Sequence, residues 1–575
     1  MNRQRLIEVA RGDAPGDLLF TNGRVLNTLT AEIEQTDVVV AEGHVAGLGA
    51  DYQARERVDL RGRYLLPGLI DAHTHLESSM LWVGQYAQAV VPRGTTAIVT
   101  DLHEIANVCG VSGVEATVRA AASLPLELHL MVPSCVPATD LETSGASLGP
   151  SQIRRLSRLP QALGLGEMMN FPGVVSGQKD MLRRIEAAGE GVLDGHAPGL
   201  RERPLNAYLA AGMRSDHETT SFEEGREKLR RGMYLMIREG TTEKNLQDLL
   251  PLVTDLTYPR CMFVVDDRSC HDLLHDGDMD AVLRKAVRLG LDPVRAIQLA
   301  TINPATYFGL RSLGAVAPGY AAHLMICDDL RDLRARQVYF AGRLVAEDGR
   351  ALFPAETPIS DELLHTFRLG PLSPESFALP AHGPTYPVIE VVPGQIVTAR
   401  SIEPVLVRDG QVLPDPARDI LKIAVVERHR ATGNVGVALV RGLGLKRGAV
   451  ASSVAHDSHN IVAASADPSD RDLYAAVSEV ARLEGGLAVA ADGGVLASLA
   501  LPIAGLMSPE PPEEVSAALR RIEDAAASLG AGLPSPFAVL SFLALPVIPS
   551  LKLTDRGLVD VEKGAFFDFR VLAQA

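Results

Sequence analysis

The sequence predicts an α/β protein: a (β/α)8 TIM-like barrel with a discontinuous small β-sandwich domain and an additional C-terminal α+β domain. Three observations carry this expectation. Short apolar runs alternate with helical patterns through the middle of the chain, the signature of βα units and a parallel sheet. Two β-rich pieces flank that stretch. A Pro-rich connection after them leads to a further segment with strand-like and helical patterns of its own.

Bulk properties bound what such a chain can do. At 575 residues it is too long for one ordinary core. Hydrophobic residues at 46% against 22% charged describe a folded globular protein. A net charge of -16 argues against gripping a phosphate backbone through a broad basic face, so small molecules rather than nucleic acid are the expected partners. The N-terminal MNRQRLIEVARGDAPGD has no apolar core of signal-peptide length, and no stretch reaches the ~18 uninterrupted apolar residues of a membrane span. A cytoplasmic protein with no membrane partner is the expectation, as a homo-oligomer, dimer or higher. Cys109, Cys135, Cys261, Cys270 and Cys327 are scattered and never form a Cys-x-x-Cys pair, which fits reduced, mostly buried thiols.

Residues 1-62 carry short alternating runs such as Asp37-Val38-Val39-Val40, broken by Asn-Gly and Glu-Gly turns, and read as a small antiparallel sheet. The texture returns within 313-372, at Leu324-Met325-Ile326-Cys327 and Val338-Tyr339-Phe340-Ala341, so the two pieces are expected to pair as one domain. The Pro-rich stretch from Phe353 to Pro374 reads as a linker. Between the two pieces, the barrel segment 63-312 supplies eight candidate strands: 69-75, 97-101, 127-132, 162-167, 191-196, 212-217, 233-237 and 262-266. Stretches 181-188 and 222-231 suit intervening helices.

Polar residues stand where these strands end. His73 and His75 close the first, and side chains two apart on an extended segment point to the same side, so one ion can take both imidazoles. Asp101 with His103 and Glu104 closes the second, Glu167 the fourth, His196 the fifth, His217 with Glu218 the sixth, and Asp266 with Asp267 the eighth. In a barrel these ends meet at one face, where the active sites of this fold lie. One histidine at a strand end is more often a hydrogen-bonded rim residue; four of them with a glutamate and an aspartate point to metal.

Imidazole and carboxylate suit Zn, Mn or Fe, and the lack of thiolates argues against a closed structural zinc site. Six ligands exceed the three protein ligands of an ordinary catalytic zinc. Two divalent transition metal ions sharing one carboxylate account for all six: His73, His75 and Asp266 on one ion, His196 and His217 on the other, Glu167 between. Such a pair ionises a water near neutral pH, and Asp266 beside it can take the proton and pass it to a leaving group.

The His-x-His strand, the later His, His and Asp, and the split β domain resemble the amidohydrolase superfamily. More narrowly, Asp71-Ala72-His73-Thr74-His75-Leu76-Glu77-Ser78-Ser79, Asp101-Leu102-His103-Glu104-Ile105-Ala106-Asn107-Val108, Gly166-Glu167-Met168-Met169-Asn170, Asp194-Gly195-His196-Ala197-Pro198-Gly199 and Ser215-Asp216-His217-Glu218 resemble the bacterial adenine deaminase family, as do Asp266-Asp267-Arg268 and Thr301-Ile302-Asn303-Pro304-Ala305. That resemblance implies hydrolysis of adenine to hypoxanthine and ammonia at a two-metal centre, with manganese or iron, or zinc as the alternative. It places Glu167 in the bridging position. Asp101, His103 and Glu104 become candidates to bind a further ion, orient the base or shuttle protons, His103 and Glu104 joining Asp266 and Glu167 as catalytic candidates. Glu77 and Glu218 are candidates for purine contacts. Two departures stand out: Ser269-Cys270-His271 follows Arg268 where the family often has an immediate histidine, and His323 stands where amidohydrolases usually show aspartate.

Residues 373-575 form the expected α+β domain, with β-like runs at 423-426 and 435-440 and a helical pattern at 472-483. Its Ser452-Ser453-Val454-Ala455-His456-Asp457-Ser458-His459-Asn460 resembles the extra C-terminal domain of adenine deaminases, which makes His456 and His459 candidate metal or active-site contacts; otherwise the string is a polar turn. The Gly-rich 441-445 lacks the Lys and Ser/Thr of a phosphate loop and reads as a turn. Two other functions stay open: hydrolysis of a cyclic amide or related aminopurine at the same centre, and a binding protein that keeps the barrel without activity.

Overall fold

The computed structural model describes residues 2–570. Eight strands occupy the expected positions: β1 (Leu69–Asp71), β2 (Thr95–Thr100), β3 (Glu127–Val132), β4 (Ala162–Met168), β5 (Val192–Gly195), β6 (Ser215–Asp216), β7 (Tyr234–Arg238) and β8 (Cys261–Val264). All pair in parallel, in one arc from β1 to β5 and another from β6 to β8. The barrel closes where Arg214 N donates to Leu193 O (3.0 Å) and where Thr74 bridges Asp266. Two expected strands are shorter than their apolar runs. The first ends at Asp71, whose Oδ1 accepts from the backbone N–H of both His73 and Val265 (3.3 Å each), so the chain leaves the sheet before the histidines. The sixth keeps only Ser215–Asp216.

Helices cover the barrel, among them Lys179–Ala188 and Phe222–Arg230, close to the periodicity of their sequences. Ser221 caps the second through the Glu224 N–H (3.4 Å), with Glu223 and Glu224 in its first turn and Lys228 and Arg230 in its last, each on the favoured end of the dipole.

Strands from before and after the barrel share a seven-stranded sheet, in which Tyr64–Pro67 lies between Leu324–Cys327 and Arg24–Asn27. A four-stranded sheet packs on it through Leu18, Phe20, Val40, Leu65, Leu324 and Ile326. The expected antiparallel pattern holds only in part: Gly16–Thr21 pairs in parallel with Ala54–Asp59, and Arg24–Asn27 with Tyr64–Pro67. A start of the barrel at residue 63 also falls just ahead of a strand that pairs in this sandwich.

The Pro-rich stretch is not a free linker. Gln88 Nε2 donates to Phe353 O (2.6 Å), Ala504 N to Leu363 O (2.7 Å) and Arg368 N to Arg428 O (2.8 Å), and Leu363 and Phe377 are buried. These bonds strap the barrel to the last part of the chain. There an eight-stranded sheet, Thr385–Val391 and Ile420–Val426 among its strands, carries helix Arg471–Arg482 on one face. Alternation along Ile420–Val426 explains the two faces: Ala424 and Val426 meet that helix, while Ile423 and Val425 join a core continuous with the barrel helices. The C-terminal domain is thus docked on the barrel through shared apolar packing.

Candidate metal centre

Loops after the strands are pinned before any site residue is considered. Tyr208 Oη donates to Met168 O (2.9 Å) and accepts from His196 N (3.1 Å), fixing the ends of β4 and β5. Buried Lys228 donates to Asp216 Oδ2 (2.9 Å), Glu224 Oε1 (2.6 Å) and Ala197 O (2.8 Å), and Asp216 Oδ1 accepts from Ala197 N (2.7 Å), so the residues after His196 and before His217 are tied to one cation. Gly166 is required beside Glu167: a Cβ there would lie 2.7 Å from the Asp101 Cβ. Asp266 has left-handed backbone (φ 61), held where its N–H donates to His73 O (3.0 Å) and its carbonyl accepts from His75 N (3.2 Å).

On this frame the six expected ligands converge, all of them buried. His73 Nε2 is 3.1 Å from His75 Nε2; Asp266 Oδ1 is 3.0 Å from His75 Nε2 and 3.6 Å from His73 Nε2. Donors about 2.1 Å from one ion sit roughly 3.0–3.4 Å apart, close to this spacing, so the three could share an ion, and two ring nitrogens facing each other need a cation or proton between them. Glu167 Oε2 lies 2.6 Å from His196 Nδ1 and 3.2 Å from His217 Nε2, while its Oε1 faces His75 Nε2 (3.4 Å) and His73 Nε2 (4.0 Å). One carboxylate therefore spans both groups.

The electrostatics suit cations. Burial opposes charge on His75 and His217, yet Asp101 and Asp266 hold the first well above the usual imidazole range, and Glu167 lifts the second to about 9. Burial and the neighbouring His217 and His75 push His73 down to about 3, leaving its lone pair free. Against burial, His196 and His217 keep Glu167 ionised, and His75 and Arg238 keep Asp266 ionised. Carboxylates that hold protons on these rings would hold metal in their place.

Asp101 Oδ1 accepts from His103 Nδ1 (2.9 Å) and lies 3.3 Å from His75 Nδ1, so it orients both rings. Glu104 is gripped by the C-terminal domain, His456 Nδ1 on Oε1 and His459 Nε2 on Oε2. His103 Nε2 lies 3.4 Å from Glu104 Oε1 and 3.7 Å from Asp457 Oδ1. One imidazole of the C-terminal domain thus sits on each Glu104 oxygen, and His103, Glu104 and Asp457 also lie close enough together to hold a further ion. Glu218 faces the cavity beside His196 and His217 (3.9 and 3.7 Å). Glu77 does not line the cavity: its Oε1 accepts from Ile105 N (3.2 Å) at the start of the helix bearing His103 and Glu104, and burial pushes its carboxyl up to about 7. His271 turns outward to Ser516 (3.3 Å), and His323 stacks on Phe340 and pairs with Glu127 (2.8 Å); neither joins the cluster.

Two sets of residues escaped the sequence reading. Arg238 ends β7 and binds Glu218 through Nη2 (3.2 Å) and Asp266 through Nη1 (2.8 Å). Its position at a strand end was visible, but only His, Asp and Glu ends suggest ligands. The second set is apolar: Ile396, Phe542, Leu545 and Ile548 line the same cavity as His75, Glu167, His217 and Asp266. Nothing local distinguishes them from core residues.

Comparisons with known proteins give the chain's family. Residues 64–345 match the model of the amidohydrolase family, and residues 395–565 match that of the adenine deaminase C-terminal domain. A protein of Dehalococcoides mccartyi named adenine deaminase is 55% identical over 98% of this chain and 98% of its own. One of Archaeoglobus fulgidus with the same name is 49% identical over 97% and 96%. A solved β-aspartyl dipeptidase of Fervidobacterium islandicum AW-1 covers 59% of this chain and 98% of its own at a TM-score of 0.46 and 17% identity.

Proposed function

The chain belongs to the adenine deaminases of the amidohydrolase family, and from that membership we propose how its cavity works on adenine. It is a hydrolase converting adenine to hypoxanthine and ammonia, and its buried His, Asp and Glu groups serve divalent metal. His73, His75 and Asp266 would hold one ion, His196 and His217 the other, with Glu167 between. Manganese or iron fits this mixed imidazole and carboxylate set, as does zinc. When bound, the ions supply the Lewis acidity that ionises water near neutral pH. The observation carrying the assignment is the split use of Glu167, one oxygen toward each histidine pair.

The residues themselves divide the work. Asp266 takes a proton from the attacking water; Arg238, on its other oxygen, fixes the carboxylate's direction. Glu104, held ionised between His456 and His459, would pass on a proton taken from His456, and His103, oriented by Asp101, would protonate the ring or the amine leaving C6. Glu218 offers a carboxylate to the purine edge. Among the described residues no helix is long and apolar enough to cross a membrane. A cytoplasmic homo-oligomer belongs to the same proposal.

The test is metal content measured alongside ammonia release from adenine. About two metals per chain with turnover, lost on chelation and restored by manganese, is expected. Full turnover by metal-free protein would overturn the assignment. Hydrolysis of a hydantoin or dihydroorotate in place of adenine would favour the cyclic-amide reading.

A further inference from the structure

Lys552 lies on strand Leu551–Thr554 in the C-terminal domain and is fully buried. Among the described residues no carboxylate pairs with it. Its ammonium instead donates to two backbone carbonyls, Ile396 O and Phe542 O, at 2.8 Å each. Those carbonyls belong to two of the apolar residues that line the cavity holding the His, Asp and Glu cluster. Burying an unpaired cation is costly, and a strand needs no such group for its own hydrogen bonds. Burial alone pulls its pKa down to about 7, in keeping with the lack of a counter-charge.

The same strand reinforces the link. Thr398 Oγ1 donates to Leu551 O (2.8 Å), and Leu553 N to Leu543 O (3.0 Å), so both segments hang from it. From Phe542 the contact continues inward. Its ring stacks on His456 (4.5 Å between centroids, 18° between planes), and His456 holds Glu104. The π face of a planar heterocycle whose polar edge meets such a cluster is suited to an apolar wall.

We propose that Lys552 is a positioning residue for substrate binding: by clamping the carbonyls of Ile396 and Phe542 it sets the apolar slot in which the purine ring lies. This rests on the functional reading above. Contacts made by an unreacting ring face are equal in ground and transition states, so loosening the slot raises KM while leaving kcat nearly unchanged.

The experiment is steady-state deamination of adenine by the full-length metal-loaded protein, its Lys552→Met and Phe542→Leu variants and the double variant, with metal content measured on each. Each single variant is expected to raise KM about tenfold and keep the parent's metal content, with kcat within about twofold of the parent's for Lys552→Met. In the double variant the two effects are expected to overlap rather than multiply, because Lys552 acts through Phe542. Unchanged KM in both singles, or effects that multiply in full, would overturn the proposal. If Lys552→Met does not fold, unchanged KM in Phe542→Leu overturns it alone. A parent that releases no ammonia from adenine sinks both this inference and the functional reading; a parent that does, with unaltered KM in the variants, sinks only this one.

Discussion

Glu167 and Glu104 are both buried glutamates, and each is held by two imidazoles. Glu167 places His196 and His217 on a single oxygen and leaves the other facing His75 and His73 at 3.4 and 4.0 Å. Those gaps are longer than ordinary N–H···O bonds, and the shorter of them is a spacing that donors to one ion would have. Glu104 instead gives one oxygen to His456 and the other to His459, both in direct contact. The barrel builds the first from its own strand ends, whereas the second needs the C-terminal domain. Identical residue types therefore make a candidate metal bridge in one place and a candidate for proton transfer in the other.

Replacing each carboxylate by its amide should break that pairing unequally. Glu167→Gln is expected to have the largest effect, lowering kcat/KM by about 10³-fold or more with loss of bound metal, since an amide is a poor bridging ligand. Elemental analysis beside ammonia release checks both halves. Glu104→Gln is expected to lower kcat by roughly 10²-fold, the range of one acid–base group, with metal content unchanged. Metal loss in this variant would erase the distinction drawn between the two glutamates.

The smallest effect is on stability. Burial disfavours charge on His456, but Glu104 outweighs it and raises the imidazole to about 9 from 6.5; on His459, as close to the same carboxylate, burial wins and the pKa falls. A raised folded-state pKa means that the His456 contribution is fully present below about pH 6.5 and is lost as pH climbs through about 9. The parent's Tm should therefore drop over that window, and that of Glu104→Gln should drop less. Parallel Tm curves would show that Glu104 does not hold the His456 proton.

The barrel side of this site was legible in the sequence because each βα unit is local. An apolar run gives a strand, a short strand ends at a polar residue, and the barrel brings those ends to one face; His73, His75, Glu167, His196, His217 and Asp266 all follow from that rule. Family resemblance singled out His456 and His459, but not their partner: they meet Glu104 across more than 350 positions of chain (352 and 355). Arg238 looked like the tail of an ordinary strand until Glu218 and Asp266 were seen on either side of it.

By itself, then, the sequence determined which segments become strands and helices and which side chains crown the barrel, since both depend on periodicity and neighbours a few residues away. Tertiary structure alone decided that Pro-rich residues strap two domains together, that Glu77 supports a helix instead of facing the cavity, and that Ile396 and Phe542 close over it under Lys552. Apolar side chains carry the same pattern whether they fill a core or wall a cavity. Only the docking of one domain on another leaves one of their faces open.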